Sequence, residues 1–190
     1  VSGYAVPALG AHATGSICID GRCDRYAGAQ AYHDHNWGVW RGVTWEWGAS
    51  RAGPYTILYG RVHPPEQLDS SSPLFLFLVD SLGFRALFRP ERILYEDART
   101  ATVNGRQVRI PARALLADVR GDDTLRVELE IEDATVTDMR SSAMERGEAR
   151  SPALLRTPYF VQMKGVARIS GRVGGDVVSG EGRGFFETYG

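Results

Sequence analysis

The sequence has little of several things that common functions need. Among its 22 basic residues there is a single lysine, Lys164, so most mechanisms that depend on a lysine amine are excluded. The net charge is -1, and the arginines are scattered along the chain rather than clustered. This distribution gives no electrostatic footprint for nucleic acid, and we expect no nucleic-acid partner.

Long hydrophobic runs are also missing. No apolar run approaches the roughly 18 residues that a membrane helix needs, and no basic segment precedes an apolar one at the N-terminus. The sequence therefore predicts no membrane span and a cytoplasmic location. It begins at Val1 without a methionine and is already strand-like by Tyr4, as expected of a trimmed chain or of the second half of a longer protein.

Cysteine is scarce, with Cys18 and Cys23 the only two. Asp20-Gly21 lies midway between them and is a strong signal for a two-residue hairpin turn, which would place the cysteines opposite each other at the closer cross-strand spacing. A disulfide is geometrically feasible there. Because no signal peptide is visible, the sequence favours two reduced cysteines.

What the sequence does contain predicts an all-β protein. Over 190 residues, 43% are hydrophobic, which suits one domain, residues 1–190, with a real core. The run 73–79 reads as a buried strand, and apolar residues alternate with charged ones over 125–132, whose glutamates we assign to a solvated face. With 22 glycines and no alternation of strands and helices, a barrel and a sandwich are the two options. We favour an antiparallel β-barrel of roughly eight to ten strands around a hydrophobic cavity.

One stretch, Ala31–Pro65, is unusually rich in side chains that line apolar pockets or move protons. It holds all four tryptophans, three of the four histidines and three tyrosines: Trp37, Trp40, Trp45, Trp47, His33, His35, His63, Tyr32, Tyr55 and Tyr59. Aromatic rings supply an apolar wall, and histidine is the side chain best suited to proton transfer near neutral pH. The stretch is the candidate site.

Within this stretch, an extended 32–37 segment would place His33, His35 and Trp37 on one face. The opposite face would carry Tyr32, Asp34 and Asn36. Two histidines beside an indole form a candidate proton-transfer site, with packing in the core or at the rim as the alternative. His12 and His63 each stand alone in a strand, a pattern more typical of structural histidines.

A metal site is not favoured. His-x-His on a strand is a familiar ligand pair, but the next carboxylate, Glu46, comes only eleven positions after His35. Nor does any segment resemble a phosphate-binding glycine loop, so no cofactor is expected. Trp45 and Trp47 share a face, with Glu46 on the other, and either bind a ligand or fill the barrel.

Three segments carry a resemblance to a known family: Tyr32-His-Asp-His-Asn-Trp-Gly38, Ala52-Gly-Pro-Tyr-Thr-Ile57 and the glycine-rich segment from Gly182 to Tyr189. Together they resemble the lipocalin-like family of carotenoid 1,2-hydratases (hydroxyneurosporene synthases) and AttH-like proteins, which is related to lipocalin-type cyclases and Diels-Alderases. The resemblance implies a calycin-type barrel that binds a long unsaturated molecule. It also implies that the chain is similar to the second of two barrel-like halves, with an N-terminal lipocalin-like domain as partner.

The resemblance implies particular site residues. In the hydratase branch a His-x-Trp pair works with a Tyr-x-Asp pair. His35-Asn36-Trp37 matches the first pair, whereas Tyr59-Gly60-Arg61 keeps the tyrosine of the second but has arginine in place of aspartate.

The resulting hypothesis is an enzyme that adds water across an alkene, or closes a ring, in an isoprenoid or polyene substrate. His35 would transfer the proton with His33 nearby, Trp37 would hold the π-system, and Tyr59 would be a second donor. The ligand-binding residues would be Tyr32, Asp34, Asn36, Trp40, Trp45, Trp47 and Tyr55. The alternatives are a non-catalytic lipid or isoprenoid carrier and a structural half of a larger protein.

Overall fold

The computed structural model describes residues 3–38, 42–64, 72–139 and 159–190. Every regular element in them is a β-strand, and none is a helix long and apolar enough to cross a bilayer. The strands are β1 (Gly3–Ile19), β2 (Arg22–Trp37), β3 (Thr44–Ala52), β4 (Tyr55–His63), β5 (Phe75–Asp80), β6 (Gly83–Phe88), β7 (Leu94–Glu96), β8 (Arg99–Val103), β9 (Arg106–Ile110), β10 (Arg113–Arg120), β11 (Asp123–Asp138), β12 (Tyr159–Val173) and β13 (Asp176–Tyr189). The chain forms two compact units, Val1–Arg41 and Gly42–Gly190.

The first unit is a long antiparallel hairpin of β1 and β2. Asp20 and Gly21 form its turn with φ angles of 50° and 78°, the positive values that a type I′ turn needs at both positions. Cys18 and Cys23 face each other with Cα atoms 4.0 Å apart and are joined by a disulfide. The hairpin prediction is confirmed, and the preference for reduced cysteines is wrong. Because disulfides persist mainly in oxidising compartments, this bond weighs against the cytoplasmic location, which stays a prediction.

The second unit is built on a nine-stranded antiparallel sheet in the order β6-β5-β4-β3-β13-β12-β11-β10-β7 among the described residues, with β8 and β9 as a separate hairpin. Two hydrogen bonds tie β6 to the far side of the sheet. The Arg89 amide donates to Asp118 Oδ2 at 2.7 Å, and Arg120 Nη1 donates to the Leu87 carbonyl at 3.2 Å. The sheet therefore curls into a half-barrel, and the all-β antiparallel prediction is confirmed.

The concave face of this half-barrel holds the core. Ile57, Leu76, Leu116 and Val127 are fully buried in one apolar cluster. Period-two alternation places these residues inside. In strand β12, buried and accessible residues alternate along nearly the whole length, so one face of the strand lies in the core. The predicted strand at 73–79 follows the same rule: the leucines lie in the core, whereas the phenylalanines between them point to the convex face.

The convex face of β11, β12 and β13 is charged, as the alternation over 125–132 predicts. Arg168 bridges Glu130 at 2.9 Å and Glu181 at 2.6 Å, and Arg183 bridges Glu132 at 3.2 Å. Exposed ion pairs of this kind contribute little stability each, so we assign this face to solvent rather than to a site.

Candidate functional site

In the hairpin, the structure arranges the predicted histidine face as expected. His33 and His35 pair with Ala8 and Ala5 on β1, and Trp37 pairs with Gly3. The His35 and Trp37 rings stack with centroids 5.8 Å apart and planes at 28°. All three side chains are exposed within a two-stranded hairpin, and their catalytic role stays a prediction.

The opposite face of β2 carries Tyr32, Asp34 and Asn36. The Tyr32 hydroxyl donates to Asp34 Oδ2 at 3.1 Å, so the carboxylate is paired along its own strand. Asn36 lies opposite Tyr4. Trp40, also predicted to bind ligand, lies outside the described residues.

In the half-barrel, strand register identifies a row of polar side chains on the concave face. Gly48 pairs with Tyr59, Glu46 with Arg61 and Thr44 with His63, two residues apart each time, so these pairs share one face. Tyr59 belongs to the core cluster, which shows that this face is the inner one. Tyr55, a predicted ligand residue, packs against the same cluster further along β4.

Tyr59 is the innermost member of this row, with only 2% of its surface exposed. Its ring lies over Gly48, where an added Cβ would come within 2.5 Å of it, and it stacks with Phe186 at 6.4 Å. Burial raises the Tyr59 pKa well above its usual range, and nearby Tyr95, Glu46 and Glu187 raise it further. The hydroxyl is therefore a neutral hydrogen-bond donor in apolar surroundings.

Glu46, Arg61 and His63 form a hydrogen-bonded cluster at the end of the row. Arg61 donates two hydrogen bonds to the Glu46 carboxylate, from Nη2 to Oε1 at 3.1 Å and from Nε to Oε2 at 3.2 Å. His63 Nε2 lies 2.8 Å from the same Oε2. The Glu46 side chain is only 15% exposed, so this two-point contact offsets much of the cost of burying its charge.

Tyr95 of β7 adds a second phenol near this cluster. The residue as a whole is 41% exposed, and partial burial is the largest cause of its raised pKa. Glu46 raises the Tyr95 pKa further, whereas Arg61 lowers it. The two tyrosines, the carboxylate, the guanidinium and the imidazole thus form one group, which we call the inner polar cluster: Tyr59, Tyr95, Glu46, Arg61 and His63.

Trp45 and Trp47 lie on the other face of β3 from this cluster. Trp45 stacks on Tyr189 at 4.2 Å and donates its Nε1 hydrogen to Glu187 at 2.9 Å. Trp47 meets the edge of Phe75 at 5.4 Å. Of the two alternatives for this pair, packing against the convex side of the sheet is what the structure describes, and a ligand role stays a prediction.

Sequence reasoning missed Glu46 and Tyr95 as site residues and assigned His63 a structural role. The sequence contains part of the signal for Glu46, because period-two spacing places its side chain on the face of β3 that does not carry Trp45 and Trp47. Which face is the inner one, and which residue of β4 lies opposite Glu46, depends on sheet register, which spacing within one strand does not supply. Among the described residues, no group of three or more His, Cys, Asp or Glu side chains could hold a metal ion.

The raised tyrosine pKa values predict loss of stability at high pH. In the unfolded chain a tyrosine loses its proton near pH 10, roughly, whereas Tyr59 and Tyr95 keep theirs in the folded protein. The unfolded state then binds fewer protons, so this contribution is fully present below about pH 10 and is lost as the pH rises above it.

Urea unfolding at a series of alkaline pH values measures this effect. We expect the free energy of unfolding to fall with pH above about pH 10, and to fall less steeply in the Tyr59→Phe variant, which has no proton to lose there. Equal slopes in the two proteins would contradict a buried, protonated Tyr59.

Comparison with known proteins supports the lipocalin-like fold. No protein-family model and no curated protein sequence matches the chain. Among solved structures, kievitone hydratase from Nectria haematococca matches with a TM-score of 0.55 and 18% identity, over 91% of this chain. An AttH-like protein from Nitrosomonas europaea matches with a TM-score of 0.55 and 18% identity, over 100% of this chain. The structure of CghA with Sch210972 matches with a TM-score of 0.61 and 16% identity, over 99% of this chain.

These neighbours agree with the AttH-like resemblance of the sequence. At 16 to 18% identity they establish the fold and not the activity. The chain spans about half the length of each neighbour, covering 49%, 52% and 54% of them.

Proposed function

We propose that this protein is a cofactor-independent enzyme that binds an apolar, unsaturated small molecule and either adds water across an alkene or closes a ring. The observation that carries the proposal is the inner polar cluster on a mostly apolar concave face. Ligand sites in proteins are mostly apolar, with a few polar groups that fix orientation, and this face has that character.

The chemistry follows from the groups present. A neutral tyrosine hydroxyl can hydrogen-bond a developing negative charge or a water molecule, and a histidine can carry a proton. Apolar walls exclude water from all but the reacting position and strengthen these interactions. Hydration and ring closure both need a held substrate and a small number of proton donors, and neither requires a redox group.

The resemblance assigns roles that we retain as proposals. In the hairpin, His35 transfers a proton and Trp37 holds the π-system; in the half-barrel, Tyr59 is a donor. The family's Tyr-x-Asp pair becomes Tyr59-Gly60-Arg61 here, and the carboxylate opposite Arg61 is Glu46 on the neighbouring strand. A carboxylate is therefore kept beside Arg61, supplied from β3 instead of β4, and its charge acts on Tyr59. A further lipocalin-like domain before this chain also remains part of the proposal.

The test is to incubate the purified chain with a panel of linear isoprenoids and polyenes. Tryptophan fluorescence reports binding, and mass spectrometry reports product. A mass gain of one water identifies a hydratase, and an isomer of unchanged mass identifies a cyclase. If ligands quench the fluorescence but none is converted to product, the enzyme hypothesis is wrong and the protein is a carrier.

Two histidine variants then test the role of His35. His35→Ala should lower turnover with little loss of binding, and His12→Ala on the partner strand is the matched control, since it also removes an exposed imidazole of the hairpin. If both variants turn over like the wild type, the site does not include His35.

A further inference from the structure

We propose that His63 is a catalytic proton-transfer residue of the half-barrel, oriented by Glu46, which Arg61 in turn holds in place. This inference rests on the proposed function and adds a residue that the family's His-x-Trp and Tyr-x-Asp pairs do not contain. It is carried by the depth, the hydrogen bonding and the charge of the three side chains.

Depth changes steadily along β4. Tyr59 is buried in the core, the Arg61 side chain is 21% exposed, and the His63 side chain is 43% exposed. Because the three are two residues apart, they lie on one face and run from the apolar interior toward solvent. His63 is thus the member of the row that can exchange protons with water while remaining next to the interior.

Hydrogen bonding determines what the imidazole can do. With Nε2 2.8 Å from Glu46 Oε2, a neutral His63 donates its Nε2 hydrogen to the carboxylate and leaves Nδ1 as a free lone pair. When Nδ1 takes up a proton, the hydrogen bond from Nε2 to the carboxylate is kept. This is the relation between histidine and carboxylate in proton-transfer sites on unrelated folds.

The contacts of Arg61 indicate that His63 is not needed as a structural ion-pair partner of Glu46. Both Glu46 oxygens already accept a hydrogen bond from Arg61, so the buried charge is compensated without His63. An exposed ion pair would contribute little to stability, and the imidazole is the more exposed partner. Replacing His63 should therefore leave the fold largely intact.

For the hydration branch the proton balance closes on these groups, so His63 here takes the proton-transfer role that the resemblance gives to His35, and the His35 and His63 variants decide between the two. The imidazolium gives its Nδ1 proton to one alkene carbon as the π electrons form the new C–H bond. Water adds through its oxygen to the other carbon and returns a proton to Nδ1. The sum is one water added to one alkene, with His63 restored and Glu46 ionised throughout. Arg61 is a positioning residue in this scheme, and Tyr95 is a further titratable group whose charge acts on it.

The experiment compares His63→Gln with the wild type on whichever panel member the wild type converts. Glutamine can still donate to Glu46 but cannot carry a proton, so we expect kcat to fall by roughly 10²- to 10⁴-fold with little change in substrate binding. His12→Gln is the control and should keep the wild-type kcat. Added imidazole should restore part of the kcat of His63→Ala, which a merely structural histidine would not show.

The outcomes separate this inference from the proposed function. Wild-type turnover with an unchanged kcat in His63→Gln overturns the role of His63 and leaves the enzyme standing. Loss of both kcat and binding in His63→Gln, without rescue of His63→Ala by imidazole, assigns His63 to structure and also overturns the inference. Absence of turnover in the wild type overturns the proposed function and the inference with it.

Discussion

Replacing Leu76 with alanine should destabilise the half-barrel by about 2 to 5 kcal/mol. Leu76 lies on β5, is fully buried, and faces Tyr59 on one neighbouring strand and Phe88 on the other. The loss combines the transfer free energy of the removed methyl groups with the cavity they leave. Urea or guanidinium unfolding, with the m-value checked for constancy, measures it.

Leu82 supplies the matched control, six residues further along. It stands in the turn between β5 and β6 and is 91% exposed, so Leu82→Ala should change stability by less than about 0.5 kcal/mol. A small loss for Leu76→Ala as well would mean that the concave face is loosely filled. That result would contradict the close packing described around Leu76.

Much of the fold could be predicted from local patterns. The glycine turn after Asp20 and the alternation over 125–132 depend on interactions between near neighbours in the chain, and the structure has the expected hairpin and strand there. The apolar run at 73–79 predicts a fully buried strand. Its leucines fill the core, whereas Phe75 and Phe77 are half-buried on the convex face, where they pack on each other at 5.2 Å.

The inner polar cluster could not be predicted in the same way. Glu46 and Arg61 meet because β3 and β4 are paired in one particular register, and Tyr95 approaches them from a strand at the opposite edge of the sheet order. Local spacing fixes which residues share a face but not which face is inside. The aromatic stretch drew attention to Trp45 and Trp47, and Glu46 between them is the residue that faces the interior.

In the glycine-rich segment from Gly182 to Tyr189, the structure explains why position 182 is glycine. A Cβ on Gly182 would lie 1.7 Å from the Arg51 carbonyl oxygen on β3, closer than any real contact. The obstacle is backbone, so no side chain can turn aside to relieve it. Nearby, the Ser50 hydroxyl donates to the Gly182 carbonyl at 3.1 Å, and the Gly53 amide donates to the Glu181 carbonyl at 3.1 Å. A shift of β13 would stretch both bonds.

Gly182→Ala should therefore destabilise the half-barrel by at least the roughly 1 to 3 kcal/mol typical of overpacking. Gly15→Ala in the hairpin is the control, because a Cβ there meets nothing within 4 Å and its effect should be neutral or stabilising by about 0.4 to 1 kcal/mol. Denaturant unfolding of both variants measures the difference. If Gly182→Ala kept wild-type stability, β3 and β13 would be further apart than described. The register that brings Glu46 into line with Thr188 would then need revision as well.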